Sequence, residues 1–407
     1  MTKNFHNPIV FRKAEESDKE RLRLFFEKAY ADRFKYKFPD RWVWQYINNP
    51  WRRGRDIQSY IAEDSRRNIV GHSGALLVPA QIRGAPIVLA WGVGLFVLDP
   101  YRGKGIAKAL QELNIFDNEI LASIYMAPEA QALKLSLKAR RGPTCSVYVH
   151  SIYFDNSKVT ESVERKLARR NFGRLSRPFA IALSPIVAAR NQLRSLLVKA
   201  YQRRHRSRST LFGNHYDFSE GPASFGDESD ELWDKARGRY DFCVERTSKY
   251  LNWKYRDQPG CKYRVLRMLN GGAIVGQLVY RIGMPPEAPV AFITEVVVEA
   301  DCPEMTKQII SEAVGVIKER GAVQIVIATS DCTQKVAIEG CSFLRIEDHD
   351  LLVNYSPDNS VNLGALSRCL LTKGDHDWDQ FFLARLLSPK EVLDRFYRHK
   401  SAYVTRL

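Results

Sequence analysis

The sequence has 407 residues, of which 45% are hydrophobic and 27% charged, a balance typical of a soluble globular protein. A chain of this length exceeds one average core, which favours two domains. No apolar run approaches the roughly 20 residues that span a bilayer, and the first residues lack the apolar stretch of a signal peptide, so we expect a cytoplasmic protein. Seven scattered cysteines, never in C-x-x-C spacing, indicate reduced thiols.

The net charge of +16 is unevenly distributed along the chain. Between Arg165 and Tyr216 there are 13 Lys or Arg and no Asp or Glu. Apolar residues between Leu183 and Tyr201 follow one stripe of a helix. Such a basic amphipathic helix can bind nucleic acid phosphates or an anionic membrane surface, or it can be a linker whose stripe docks on the domains. We therefore expect residues 157–214 to form a basic helical linker.

Strand and helix patterns alternate along the first 154 residues. They predict strands at residues 9–13, 58–63, 69–82, 87–97, 119–126 and 143–154, and helices at 22–30, 105–117 and 128–141. The resulting order, β-α-β-β-β-α-β-α-β, predicts an α/β fold with a mixed sheet.

Two local features stand out before the middle of this region. Trp42, Trp44 and Trp51 fall within ten residues, and they either pack a corner of the core or line a pocket; we favour packing. The turn at residues 83–86 predicts a hairpin, and simple pairing about this turn places His72 opposite Leu95, whereas a slip or an intervening bulge would shift this register by one or two residues.

The strand at 87–97 leads through Asp99-Pro100 into a loop that reads R-G-K-G-I-A, from Arg102 to Ala107. A glycine-rich loop that opens a helix presents backbone N–H groups and the positive end of the helix dipole, so it can bind phosphate. The loop lacks the Ser or Thr of a Walker motif and the third glycine of a dinucleotide fingerprint. An ordinary strand-to-helix turn is the alternative.

The pattern V-x-D-P followed by R-x-x-G-x-A closely resembles the acyl-CoA pyrophosphate loop of the GNAT N-acetyltransferase superfamily. The resemblance implies acetyl-CoA or another acyl-CoA as co-substrate, no metal, and direct attack of an amine on the thioester. In that superfamily the strand before the loop splays from its neighbour, so that its backbone holds pantetheine while the loop amides hold the pyrophosphate. Carried over, pantetheine would contact Leu95, Phe96 and Val97, and the phosphates would contact Arg102, Gly103, Lys104, Gly105, Ile106 and Ala107.

The resemblance leaves the proton-transfer residues unassigned. The superfamily often has a tyrosine general acid in the second helix after the loop, but the spacing from Gly142 gives Lys138 here. Tyr125, at the end of the preceding strand, could replace it, and His72 could deprotonate the amine. For both residues a structural role is favoured over a catalytic one, and Glu295 is a weaker candidate.

The second part of the chain repeats features of the first in the same order. The motif W-x-Y-x-x-x-P occurs from Trp44 and again from Trp253, and I-V-G occurs at residues 69–71 and 274–276. The second copy has E-A-D-C-P-E where the first has the glycine loop, so only the first should bind acyl-CoA. We expect tandem GNAT-like domains, similar to Fem-type and mycothiol-synthase enzymes, at residues 1–156 and 215–360, with an extension at 361–407.

These features predict an acyl-CoA-dependent N-acyltransferase acting on an amine: an amino sugar, another small metabolite or a lysine side chain. The basic segment would suit an anionic acceptor. The alternative is a non-catalytic protein of this fold that binds nucleic acid or a membrane surface through residues 165–210. The acidic stretch at 374–379 could hold a metal ion, but such spacing more often caps a helix, so we expect no metal.

Overall fold

The computed structural model describes residues 9–30, 34–137, 140–154, 216–283, 289–355 and 366–377, with a few positions between 164 and 189. We call residues 9–154 the first half and 216–355 the second half. Residues 177–183 are helical, and most of the expected basic linker lies outside the described residues. So do Lys138 and residues 378–379 of the acidic stretch.

The described residues form the following strands: β1 (Val10–Lys13), β2 (Ser59–Glu63), β3 (Ile69–Ile82), β4 (Ala85–Val97), β5 (Ile120–Ser123), β6 (Arg140–Tyr153), β7 (Asp217–Pro222), β8 (Phe242–Val244), β9 (Arg264–Asn270), β10 (Ala273–Ile282), β11 (Val290–Val298), β12 (Gln324–Thr329), β13 (Leu344–Tyr355) and β14 (Cys369–Leu370).

The helices are α1 (Lys19–Tyr30), α2 (Phe34–Lys37), α3 (Asp40–Trp42), α4 (Ile106–Asp117), α5 (Pro128–Ser136), α6 (Asp227–Arg237), α7 (Ser248–Leu251), α8 (Pro303–Glu319) and α9 (Cys332–Gly340). The segments Val43–Ile47 and Asn252–Arg256 are π-helical, and Glu16–Asp18 and Asp99–Tyr101 are 3₁₀ turns.

One mixed sheet runs through both halves, in the order β1-β2-β3-β4-β5-β13-β6-β12-β11-β10-β9-β7. Two matching series of strands lead from the edges of the sheet to its centre, β1-β2-β3-β4-β5-β13 and β7-β9-β10-β11-β12-β6. Each series contains one parallel pair, β4 with β5 and β11 with β12. The predicted α/β fold with a mixed sheet is confirmed.

The central strands are exchanged between the halves. β6 belongs to the first half but lies between β13 and β12, and β13 belongs to the second half but pairs with β5. This pairing also corrects one prediction: the helix expected at 128–141 ends at Ser136, because Arg140 and Arg141 already pair with β13.

Aromatic residues from the two repeated W-x-Y motifs join the halves on one face of the sheet. The Trp44 ring stacks on the Trp253 ring at 4.6 Å, and its indole N–H donates to the Trp253 carbonyl at 3.0 Å. Trp42 and Trp44 are buried and Trp51 is partly buried, so packing is confirmed for the first two, although Trp44 and Trp253 also line a cavity of about 670 Å³. Stacked, buried aromatic pairs contribute about 1 kcal/mol beyond their area.

Candidate active site

β4 and β5 separate in the middle of the first half. They pair only at Ala90 with Leu121 and at Trp91 with Ala122, although β4 continues to Val97. Beyond Trp91 the sheet therefore opens between these two strands. A narrow opening of this kind exposes strand backbone groups that an extended ligand can bind.

A β-bulge bends β4 beside this opening. Gly94 has φ +65°, a conformation that favours glycine, and the pairing of β3 with β4 shifts between His72 and Gly74. The bulge adds a residue to β4, so His72 lies opposite Phe96. The simple register that placed His72 opposite Leu95 was wrong for this physical reason.

His72 is buried and held at both ring nitrogens. Nδ1 lies 2.9 Å from the Gly94 carbonyl and Nε2 lies 2.9 Å from the Ser59 hydroxyl. The carbonyl can only accept, so Nδ1 donates to it, and Nε2 accepts from Ser59. Burial lowers the pKa of His72 to about 4. His72 therefore holds the bulge as a neutral imidazole, and a catalytic role for it remains a prediction.

The predicted pantetheine residues lie along the opened part of β4. Leu95 and Phe96 are partly buried, and Phe96 packs near Tyr30 with the rings 5.7 Å apart. The side chain of Val97 packs with that of Ile106 in one core cluster. Side chains placed in this way leave mainly the backbone of β4 for contact with a ligand.

The loop after β4 is open, and its backbone has a conformation that favours glycine. Gly103 and Gly105 have φ +73° and +79°, and a Cβ added at either would meet nothing within 4 Å. Gly105 is the N-cap of α4 and has no side chain to bond the first-turn amides. The N–H groups of Ile106 and Ala107 therefore have no capping side chain, as a phosphate site requires.

Two cations flank this loop. Arg102 is tied to the end of β4, with its Nε donating to the Val97 carbonyl at 3.1 Å, and it forms an ion pair with Asp99 at 3.0 Å. Lys104 lies 5.1 Å from the Tyr101 ring centre. The predicted phosphate residues are therefore together in one place, next to the predicted pantetheine residues.

Tyr125 lies between the halves, just beyond β5. Its backbone has φ +56°, and its ring contacts the His349 ring at 4.6 Å and lies 5.0 Å from Lys373 Nζ. Burial raises the pKa of this phenol well above its ordinary value. Tyr125 therefore stays neutral, and its catalytic role remains a prediction.

The second half has a corresponding opening between β11 and β12, but the chain itself fills it. Pairing stops at Ile293 with Ile327, and there the segment 369–375 enters: Gly374 N–H donates to the Thr294 carbonyl at 3.1 Å, and Thr372 bridges Thr329. We call residues 369–375 the plug. The helix that follows β11 begins with Pro303 and Glu304, which remove an N–H and add a negative charge.

A buried ionic cluster fixes the plug. Arg246 pairs with Glu295 at 3.2 Å and with Asp375 at 2.7 Å, and the Tyr255 hydroxyl donates to Glu295 at 2.7 Å. Burial raises the pKa of Glu295 to about 7, against the lowering effect of Arg246. Glu295 therefore belongs to this cluster in the second half.

Sequence reasoning missed four side chains at the first opening. Trp91 Nε1, Ser123 Oγ and Lys134 Nζ are buried and have no hydrogen-bond partner among the described residues. His376 packs edge-on against Trp91 at 5.5 Å, with Nε2 at 3.4 Å from the Gly92 carbonyl. Lys134 lies four residues before Lys138, the position that the spacing from Gly142 indicates, whereas no sequence signal brings His376 here.

Asp377 holds the His376 ring. Its Oδ1 lies 2.8 Å from His376 Nδ1, and Lys37 Nζ lies 3.5 Å from its other oxygen. Although burial raises it, the pKa of Asp377 is held well below its ordinary value by His376 and Lys37. In the described part of the acidic stretch, Asp375 and Asp377 are thus engaged in ion pairs.

Three further observations concern the described residues only. No group of three His, Cys, Asp or Glu among them is arranged to hold a metal ion. No helix among them combines the length and apolar character needed to cross a membrane. None of the seven cysteines, all of which the structure describes, forms a disulfide.

Comparisons with known proteins agree on the fold. No family model and no curated protein matches the sequence. The chain is similar to the structure of a GCN5-related N-acetyltransferase from Anabaena variabilis, with a TM-score of 0.53 and 11% identity, covering 85% of this chain and 72% of that one. It is also similar to Saccharomyces cerevisiae N-myristoyltransferase with bound myristoyl-CoA, with a TM-score of 0.51 and 11% identity, covering 87% of each chain. The expected GNAT fold is confirmed.

Proposed function

We propose that this chain is an acyl-CoA-dependent N-acyltransferase that binds one acyl-CoA in its first half. The observation that carries the proposal is the cluster of two buried, unpartnered polar atoms, Ser123 Oγ and Lys134 Nζ, that meet beside Gly92 at the opening between β4 and β5. Buried polar groups are normally hydrogen-bonded, so such a cluster fits atoms of a ligand. The glycine loop that follows β4 adds a phosphate site in line with it.

The donor would bind along β4 and the start of α4. The pyrophosphate fits the amides of Ile106 and Ala107, where the helix dipole favours negative charge and Arg102 and Lys104 add positive charge. Pantetheine would follow the backbone from Val97 to Leu95. This arrangement brings the thioester to Gly92, where β4 and β5 separate.

The acceptor would approach on the face that carries Trp91. Successive residues of a strand point to opposite faces, so Trp91 and His376 lie on the face opposite to that of a Gly92 side chain. His376 Nε2 lies 3.4 Å from the Gly92 carbonyl, which can only accept, so His376 would shape the acceptor side of the opening while the ammonium releases its proton to solvent. The neutral amine then attacks the thioester carbonyl, held in place by the protein.

The two halves would then have different roles. The domain division at residues 156 and 215, and the origin of the two halves by duplication, are part of the proposal; the matching element order of the halves supports both. The acceptor is a primary amine, and the basic composition suits an anionic one such as a nucleotide-linked amino sugar. The first half would hold the donor, while the second would complete the acceptor side.

Binding of acyl-CoA tests the proposal directly. We expect the wild type to bind acetyl-CoA or a longer acyl-CoA, measured by titration calorimetry, and Gly105→Glu to weaken binding at least tenfold, because the carboxylate would repel the pyrophosphate. Gly321→Glu is the matched control, since Gly321 has φ +85° and open space around it in the second half. Absence of binding by the wild type, or equal weakening by both variants, would refute the proposed site.

A further inference from the structure

Lys134 is a buried lysine whose amine has no hydrogen-bond partner within the described part of the chain. Its side chain is on α5 and 4% of the residue is exposed, and Nζ makes no hydrogen bond with any described residue. An unpaired charge is costly to bury, and burial accordingly lowers the pKa of Lys134 to about 7. Lys254, a buried lysine of the second half, instead donates to the His376 carbonyl at 3.0 Å.

Lys134 lies at the point where β4 and β5 part. A Cβ added to Gly92 would be 3.5 Å from Lys134 Nζ and 3.0 Å from Ser123 Oγ. Gly92 and Ser123 each follow the last paired residues, Trp91 and Ala122. The amine, the hydroxyl and the missing side chain therefore surround one spot in the opening.

The second half has apolar residues at all three corresponding positions. Lys134 and Ile338 are each the seventh residue of a nine-residue helix, α5 and α9. Gly92 and Ser123 correspond to Ile293 and Ile327, which still pair with each other. The three isoleucines lie in one core cluster. In the second half, apolar side chains fill the corresponding position. The fold therefore does not need a lysine here for its stability.

We propose that Lys134 is the general acid that protonates the CoA sulfur as it leaves. This inference rests on the proposed function, because it places the thioester at Gly92. The neutral acceptor nitrogen forms a bond to the acyl carbon and releases one proton to solvent, the C–S bond breaks, and the electron pair of that bond goes to sulfur. The Lys134 ammonium donates its proton to that sulfur, and the neutral lysine regains a proton from the solvent.

The acidity of Lys134 suits this transfer. A thiol has a pKa of about 8.5, so an ammonium with a pKa near 7 gives its proton to a thiolate favourably while remaining half protonated at neutral pH. The lysine would also serve where the spacing from Gly142 gave Lys138 in place of a tyrosine. Lys134 would lie on the side of β4 opposite His376, so that the sulfur is protonated on the face away from the acceptor amine.

The test compares Lys134→Met with Lys138→Met and with the exposed control Lys235→Met. Hydroxylamine, which is already neutral at pH 7, serves as one acceptor probe, with glucosamine and a lysine-containing peptide as the others. CoA release is followed with a thiol reagent, and acyl-CoA affinity by calorimetry. We expect Lys134→Met to lower kcat at least 100-fold, to change donor affinity less than threefold, and to remove the decline in kcat above pH 7.

Four outcomes would overturn the inference. One is a kcat for Lys134→Met within threefold of the wild type, and another is an unchanged pH profile. A third is loss of activity in Lys138→Met alone. The last is an acyl group found on Lys134 by mass spectrometry, which would make the lysine a nucleophile. If the wild type neither binds nor transfers an acyl group, the proposed function fails as well; wild-type transfer with a normal Lys134→Met variant refutes only the role of Lys134.

Discussion

The two halves build the same opening and treat it in opposite ways. In the first half the opening is lined by Gly92, Ser123 and Lys134 and followed by an uncapped helix N-terminus. In the second half isoleucines close the same positions, and the plug bonds the splayed strand. The parallel strand pair separates in both halves. The difference indicates that the chain then either forms a ligand site in the opening or fills the opening with its own residues.

The largest effect should come from exchanging the residues at the helix positions. Ile338→Lys places a charge in a closed apolar core and should lower the free energy of unfolding by about 4 kcal/mol or more. Lys134→Ile removes an unpaired amine and should raise it by about 1 kcal/mol or more. Urea unfolding followed by fluorescence measures both. Equal destabilisation by the two changes would mean that positions 134 and 338 have equally closed apolar surroundings.

A smaller effect should follow from replacing His72 by the residue of the other half. Gln277 holds the corresponding place in β10, opposite Val297. The folded-state pKa of His72 is about 4, below the unfolded value of about 6.5, so only the unfolded chain gains a proton as pH falls between these values. The wild type should lose about 3 kcal/mol of stability from this group between pH 7 and pH 4.

His72→Gln should therefore be less sensitive to acid than the wild type, although less stable at pH 7. Urea unfolding at several pH values gives the slope for each protein. An unchanged slope in the variant would show that His72 titrates normally in the folded chain.

The smallest effect should come from the plug itself. A Cβ at Gly374 would overlap the Tyr255 hydroxyl, so Gly374→Ala should destabilise by about 1–3 kcal/mol. Tyr255→Phe removes that hydroxyl and should restore part of the loss in the double variant, which a double-mutant cycle measures. Additive effects would place the plug away from Tyr255. Acyl-CoA binding in the first half should not change.

Much of the first half could be predicted from the sequence, because its signals are local. The glycines of the loop from Arg102 to Ala107 indicate its position, and the apolar patterns predict the strands before and after it. The His72 register failed by one residue, since a pattern of alternation does not show where a bulge at Gly94 adds a residue.

The long-range features could not be predicted in this way. β6 and β13 have the same kind of strand pattern, and each could pair with strands of its own half or of the other half. The sequence pattern therefore does not predict that they are exchanged. Lys134 reads as an ordinary polar position on a helix until β4 and Ser123 are placed beside it. The approach of His376 to Gly92 links residues 284 positions apart.

The exchange of β6 and β13 makes each half depend on the other to complete its sheet. A fragment ending near residue 156 would have β6 but lack the β12 and β13 edges that cover it. Such a fragment exposes a bare strand edge and should associate with itself or aggregate, whereas the two fragments expressed together should reconstitute the native pairing. We therefore expect the intact chain to unfold as one cooperative unit rather than as two independent modules.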